Sequence, residues 1–200
     1  MRVIGITGGV GSGKSRVLSY LKDAYNVEIF QADTAAKHLM EPDAPCFSGI
    51  RRILGEGILD EHGAVDRARM ADSIFHDKAV RSAVEAVIHP AVFEMTKREL
   101  ASARERHCEY FVIEAALLFE SKYNEICDEV WYIYADEKTR AARLTQERGY
   151  SSDKTNAIME SQLSDSAFRR RSTFVIDNSG SFEDTKKAID RLLDRKDWKK

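Results

Sequence analysis

ITGGVGSGKS, residues 6–15, is the stretch on which the reading of this chain turns: four glycines stand between positions 8 and 15, closed by a lysine and a serine. RVIGI, residues 2–6, leads into it as a short run rich in β-branched residues, which predicts a strand. Beyond it Val17, Leu18, Leu21 and Tyr25 recur at helical spacing. Strand, glycine loop and helix follow in that order, and Gly8, Gly13, Lys14 and Ser15 fill the pattern GxxxxGK[ST] of a phosphate-binding loop. Glycines let such a loop adopt left-handed backbone and turn its N–H groups toward one point, where the N-terminus of the next helix adds partial positive charge. With glycine near 7% of residues, the pattern arises by chance in roughly one chain in 150 of this length, before the strand and helix are demanded. The expected contacts to a nucleoside triphosphate are Gly9, Gly11, Ser12, Gly13, Lys14, Ser15 and Arg16. Lys14 would reach the β- and γ-phosphates, and the Ser15 hydroxyl would ligate Mg²⁺.

The rest of the composition narrows the class. A chain of 200 residues with 43% hydrophobic and 32% charged residues is expected to bury a core of its own, with no low-complexity segment and no internal repeat. No apolar run approaches the roughly 20 residues of a membrane span, and the phosphate loop begins too early for a cleaved leader, so a cytoplasmic protein without membrane contact is expected. Cys46, Cys108 and Cys127 are far apart and lack metal-ligand spacing, and are expected to be reduced. A net charge of −2 leaves no broad basic surface for nucleic acid, so a charged partner must be held by local charge.

Phosphate loops serve GTPases, motors and small-molecule kinases alike, and other residues must choose. No NKxD guanine-reading motif occurs, and DEHG, residues 60–63, follows no strand pattern and reads as a turn. VEIF, residues 27–30, predicts a second strand, with Asp33 just past its carboxyl end, the edge where parallel sheets bind ligands. Asp33 is there either the base for an attacking hydroxyl or the N-cap of a helix beginning at Thr34. YFVIEAALLFE, residues 110–120, ends a strand at Glu114, a carboxylate suited to Mg²⁺ or its water, or else to a neighbouring cation. Between them residues 34–108 hold no convincing strand. They read as helices broken at Gly55, Gly57, Gly63 and His89-Pro90, far more than a crossover requires, and point to a subdomain for a large acceptor. EVWYIYA, residues 129–135, predicts another strand, and the arginines that follow, Arg140, Arg143 and Arg148, suit either a lid over triphosphate or a solvated helix. A last strand and an amphipathic helix close the chain after residue 172. His38, His62, His76 and His107 form no ligand set.

With these pieces in order the sequence resembles the dephospho-CoA kinase family. The resemblance is carried by ITGGVGSGKS, the AD of QADTAAKHL, LGEGILDEHGAVDR, IHP at residues 88–90, EAALLFE, RAARL with Arg148 and Gln162 after it, and VIDNSG. It departs from the family pattern at Gln31, Ala116, Arg140, Ile158 and Thr173. The resemblance implies an α/β, three-layer phosphate-loop kinase fold: a parallel sheet in a core of residues 1–33, 109–139 and 172–200, a helical substrate-binding insertion over 34–108 and a helical lid over 140–171. It implies ATP and Mg²⁺ as cofactors and dephospho-CoA as acceptor; the oligomeric state stays open, with a monomer favoured. It favours Asp33 as base, with Lys14, Arg140 and Arg143 also catalytic, Ser15 and Glu114 at the metal, Asn178 near the adenine, and His89 and Leu118 beside the acceptor. A nucleoside or nucleotide kinase would share the loop but leave the long helical insert unexplained, and a nucleotide switch would ignore the acceptor altogether.

Overall fold

The structure is a computed structural model and describes residues 1–195, so the last five positions of the expected core segment lie outside it. Five strands, β1 (Arg2–Thr7), β2 (Val27–Gln31), β3 (Tyr110–Glu114), β4 (Glu129–Tyr134) and β5 (Phe174–Asp177), form one sheet in the order β2-β3-β1-β4-β5. β1 pairs in parallel with β3 and β4, and β4 with β5. All of β1 is buried, as an unalternating apolar run at the centre of a parallel sheet must be. Ile4, Ile6, Trp131 and Ile133 face α1 (Lys14–Ala24) and α9 (Phe182–Leu193), whose Val17, Leu21 and Ile189 complete that layer of core. On the opposite face Tyr132 stacks on Phe168 of α8 (Asp165–Arg171), centroids 4.7 Å apart and planes 12° from parallel. The register sets Ile6 beside Glu114 and Thr7 beside Tyr132, so β1, β3 and β4 end along one edge, where the glycine loop leaves β1.

The opposite edge is closed by charge. Arg2 is fully buried, its Nη2 bonding to Glu129 Oε1 at 2.6 Å and its Nη1 to the Leu192 carbonyl at 3.0 Å, while Trp131 Nε1 donates to the same Glu129 oxygen at 2.6 Å. The first residue of β1, the first of β4 and the end of α9 are thereby joined.

The chain divides into two compact units, Met1–Ile29 with Ala103–Lys200, and Phe30–Ser102. The expected lid, residues 140–171, is not a unit of its own. It falls in α6 (Glu137–Arg148), α7 (Ser152–Glu160) and α8 of the first unit, and the expected boundary at residue 140 cuts α6 in its first turn. The second unit is helical, with α2 (Ala32–Leu39), α3 (Phe47–Leu54), α4 (Arg67–His76) and most of α5 (Lys78–Glu105), plus a single bridge between Leu59 and Val65. DEHG is the turn the sequence implies: Asp60 Oδ1 accepts from the N–H groups of His62 and Ala64, both at 2.9 Å, which hold its carboxyl below the usual range.

His89-Pro90 does not break the helix. Pro90 cannot donate to the Ala86 carbonyl, yet α5 runs through it. Val84, Ile88, Val92 and Thr96 are buried at four-residue spacing on both sides, so one stripe of core spans the proline, and its burial outweighs one lost bond. Gly49 of α3 meets the same helix, where a Cβ would come 3.1 Å from Val87 Cγ1.

Breaking the buried pair tests the closed edge. Arg2→Met strands the Glu129 carboxylate and is expected to cost about 3–5 kcal/mol in urea unfolding. A loss under about 1 kcal/mol would show that water reaches Glu129 and that the edge does not depend on the pair.

Candidate active site

Two left-handed glycines and a set of side-chain donors shape the loop between β1 and α1. Gly13 (φ 88°) is the N-cap of α1, and a Cβ there would collide with Nδ2 of Asn178. Gly11 (φ 81°) makes the preceding bend, where a Cβ would come 2.9 Å from the Arg140 carbonyl. No side chain caps α1, which leaves its first N–H groups facing the loop.

The loop carbonyls are held one after another. Lys14 Nζ donates to Gly8 O at 2.8 Å and Arg140 Nε to Val10 O at 2.9 Å. Arg143 Nη1 lies 3.3 Å from both Gly11 O and Ser12 O, and Asn178 Nδ2 donates to Ser12 O at 2.7 Å. There are no cis peptides among the described residues, and in a trans peptide the N–H points opposite the C=O. Drawing the carbonyls of Val10 and Ser12 outward therefore turns the N–H groups of Gly11 and Gly13 the other way. Among the described residues the N–H groups of Gly11, Gly13 and Ser15 donate to no protein acceptor, whereas Ser12 N–H bonds to Gly9 O at 3.1 Å. Such a concavity of unengaged donors, ringed by three cationic side chains, fits the oxygens of a polyphosphate.

The contacts of the expected residues within the protein are these. Arg140 and Arg143, expected as catalytic contacts to phosphate, here brace the carbonyl side of the loop. Asn178, expected near the adenine, is 2% exposed with both side-chain polar atoms engaged: Nδ2 with Ser12 O, and Oδ1 with the Thr185 hydroxyl at 3.0 Å. Its carbonyl accepts from Arg143 Nη2 at 2.8 Å, tying the end of β5 to the same arginine. Arg148, expected to share their face, is exposed at the end of α6. Arg16 stacks on Phe182, its guanidinium carbon 4.1 Å from the ring centre. Leu118 was expected at the substrate but is a core side chain with no exposed surface, its Cδ1 3.0 Å from where a Cβ on Gly5 would stand.

α6 is anchored where it must present the arginines. Asp136 Oδ1 accepts from Thr139 N–H and Oδ2 from the Thr139 hydroxyl, each at 2.8 Å, and Asp136 N–H donates to Ser179 Oγ at 3.0 Å. The Thr139 bonds hold the Asp136 carboxyl below its ordinary range, so this cap is complete at neutral pH and weakens only as pH falls through that lowered value.

Ser15 is exposed in the first turn of α1, and Glu114 is buried at the end of β3. A hydroxyl and a carboxylate are oxygen donors of the kind that Mg²⁺ takes, with phosphate oxygens and water to complete its shell. No cluster of three or more metal-ligating side chains occurs among the described residues. In the second unit, α2 begins at Ala32 with Gln31 as its N-cap and no side-chain cap, so Asp33 is the second residue of the helix and not its cap. Its carboxylate is exposed two residues beyond the end of β2. His89 is half-buried midway along α5. A cavity of about 600 Å³ in the first unit, lined by Tyr132, Tyr134, Arg140, Met159 and Gln162 among others, adjoins the braced loop.

Residues 2–184 match the sequence profile of dephospho-CoA kinases. The chain belongs to the dephospho-CoA kinase family. The dephospho-CoA kinase of Symbiobacterium thermophilum is 34% identical over 190 residues, covering 95% of this chain and 79% of the relative. That of Geobacter sulfurreducens is 33% identical over 192 residues, covering 96% of this chain and 97% of the relative. Among solved structures, TT1252 from Thermus thermophilus has a TM-score of 0.82 at 29% identity, covering 96% of each chain. Dephospho-CoA kinase from Campylobacter jejuni has a TM-score of 0.69 at 20% identity, covering 96% of this chain and 98% of that one, a likeness that shows the phosphate-loop kinase fold of the family.

Gly13→Ala tests the loop. The methyl group must displace Asn178 and adopt a left-handed φ, so AMP-PNP binding by calorimetry should weaken at least tenfold, a change of about 1.4 kcal/mol. Unaltered binding would mean the loop holds phosphate in another shape.

Proposed function

We propose that this chain transfers the γ-phosphoryl group of ATP to the ribose 3′-hydroxyl of dephospho-CoA, giving coenzyme A and ADP. Membership of the family over residues 2–184 carries the reading, and the unengaged N–H groups of Gly11, Gly13 and Ser15 support it chemically. These groups, with those of Gly9 and Lys14, would hold the triphosphate, and Lys14 would exchange the Gly8 carbonyl for β- and γ-oxygens. Asp33, exposed at the second position of α2, is the candidate base. The 3′-oxygen forms its bond to the γ-phosphorus as the bond to the β–γ bridging oxygen breaks, ADP leaves, and Asp33 accepts the hydroxyl proton. Mg²⁺ held by Ser15 and Glu114 would neutralise charge on the β- and γ-oxygens. Helices of residues 30–102, His89 among them, are the proposed seat of the acceptor, and α6–α8 the segment that excludes water over the phosphates. No described helix is long and apolar enough to cross a membrane, and a cytoplasmic monomer is part of the proposal.

ADP formation with ATP and Mg²⁺ tests the acceptor. Dephospho-CoA should stimulate it and gain a 3′-phosphate, whereas AMP, adenosine and pantothenate should match the rate without acceptor. Stimulation by one of those instead would overturn the reading. Asp33→Asn should lower kcat roughly 100- to 10,000-fold while the Kd of AMP-PNP stays within about threefold, and an unchanged kcat would remove Asp33 from the chemistry.

A further inference from the structure

Val10, at the tip of the loop, is held on both of its peptide groups, and only one of the two holders is an arginine. Arg140 Nε donates to Val10 O at 2.9 Å, while Val10 N–H donates to Gln162 Oε1 at 3.1 Å. The same Gln162 oxygen accepts from Arg140 Nη2 at 2.7 Å. The three residues thus close a ring: loop N–H to glutamine oxygen, glutamine oxygen to guanidinium, guanidinium to loop carbonyl. Gln162 enters it from the short link between α7 and α8, 152 positions away in sequence from the peptide it holds.

We infer that Gln162 is a positioning residue for nucleotide binding, which with Arg140 fixes the Val10 peptides so that the loop keeps its donors turned inward before the nucleotide arrives. The chemistry of the ring requires an acceptor. A guanidinium only donates, so Arg140 can hold the Val10 carbonyl but offers nothing to the Val10 N–H. Glutamine supplies that acceptor, and its one oxygen also orients Arg140 by taking a second proton from it. Fixing Val10 N–H outward keeps it out of the concavity, and fixing Val10 O outward turns Gly11 N–H inward. Removing the acceptor would release two donors at once and leave the glycine-flanked tip to be ordered by the nucleotide, which lowers affinity. Arg143, Asn178 and Lys14 hold their carbonyls independently of Gln162, so the loss is partial.

The inference rests on the loop being a nucleotide site, and AMP-PNP with Mg²⁺ and no acceptor separates the two. Gln162→Leu keeps the bulk and removes the acceptor, whereas Gln162→Glu keeps an acceptor oxygen. For Gln162→Leu the Kd of AMP-PNP should rise about tenfold, the KM for dephospho-CoA should stay within about twofold, and Val10 amide exchange should quicken at least about tenfold. Gln162→Glu should retain slow exchange at Val10. A Gln162→Leu protein that binds AMP-PNP within about twofold of the unaltered chain would overturn the inference, as would a raised acceptor KM with unchanged Kd, which would make Gln162 an acceptor contact. Failure of the unaltered chain to bind AMP-PNP would instead sink the nucleotide-site reading.

Discussion

The outward hold on the loop carbonyls is the constraint from which the rest of the site follows. A loop with glycines at positions 8, 9, 11 and 13 has little preference of its own, and its disorder would weaken any ligand it met. Side chains from elsewhere in the first unit supply that preference: Arg140 and Arg143 from α6, Asn178 from the end of β5, Gln162 from the α7–α8 link. Because a trans peptide opposes its C=O to its N–H, each carbonyl drawn outward presents a donor inward. Cations serve here twice, by fixing the backbone and by adding positive potential behind a site for phosphate.

That arrangement explains why distant parts of the fold are tightly joined. Asp136 sets the start of α6 and binds it through Ser179 to the turn after β5, so the two arginines and Asn178 share one foundation. The buried Arg2–Glu129 pair and Trp131 lock β1 to β4 at the far edge, and these are the two strands whose carboxyl ends carry the loop and α6. The packed layer of Ile4, Ile6, Val17 and Trp131 keeps strand, loop and helix in one rigid piece.

What the sequence makes legible is local. The glycine loop, the strand before it and the helix after it are read within fifteen residues, since periodicity and turn chemistry act at that range. The buried strands declare themselves as unbroken apolar runs. His89-Pro90 misleads because the proline penalty is local, while the stripe Val84–Ile88–Val92–Thr96 that overrides it is a tertiary fact. Leu118 stands in a motif beside Glu114, yet its side chain points into the core below Gly5, a matter of facing that a motif does not carry. Arg140, Arg143 and Asn178 stand out in the sequence as polar residues of α6 and of the end of β5, but that they meet the carbonyl side of the loop depends on those elements crossing it. Gln162 stands among the residues of the family resemblance, and only the fold shows it touching Val10. Asp33 reads as a possible N-cap because propensity places the helix start at Thr34, whereas α2 begins two residues earlier, at Ala32.

Backbone amide proton shifts of the loop during titration with AMP-PNP and Mg²⁺ would test the central claim most directly. If the carbonyl-side hold pre-forms the site, the amides of Gly11, Gly13 and Ser15 move downfield as they gain phosphate acceptors, while Val10 and Ser12, already bonded within the protein, move little. Large shifts at Val10 and Ser12, with Gly11 and Gly13 unmoved, would mean that the loop must be rebuilt to bind, and that the arginines hold it in a form that does not accept phosphate.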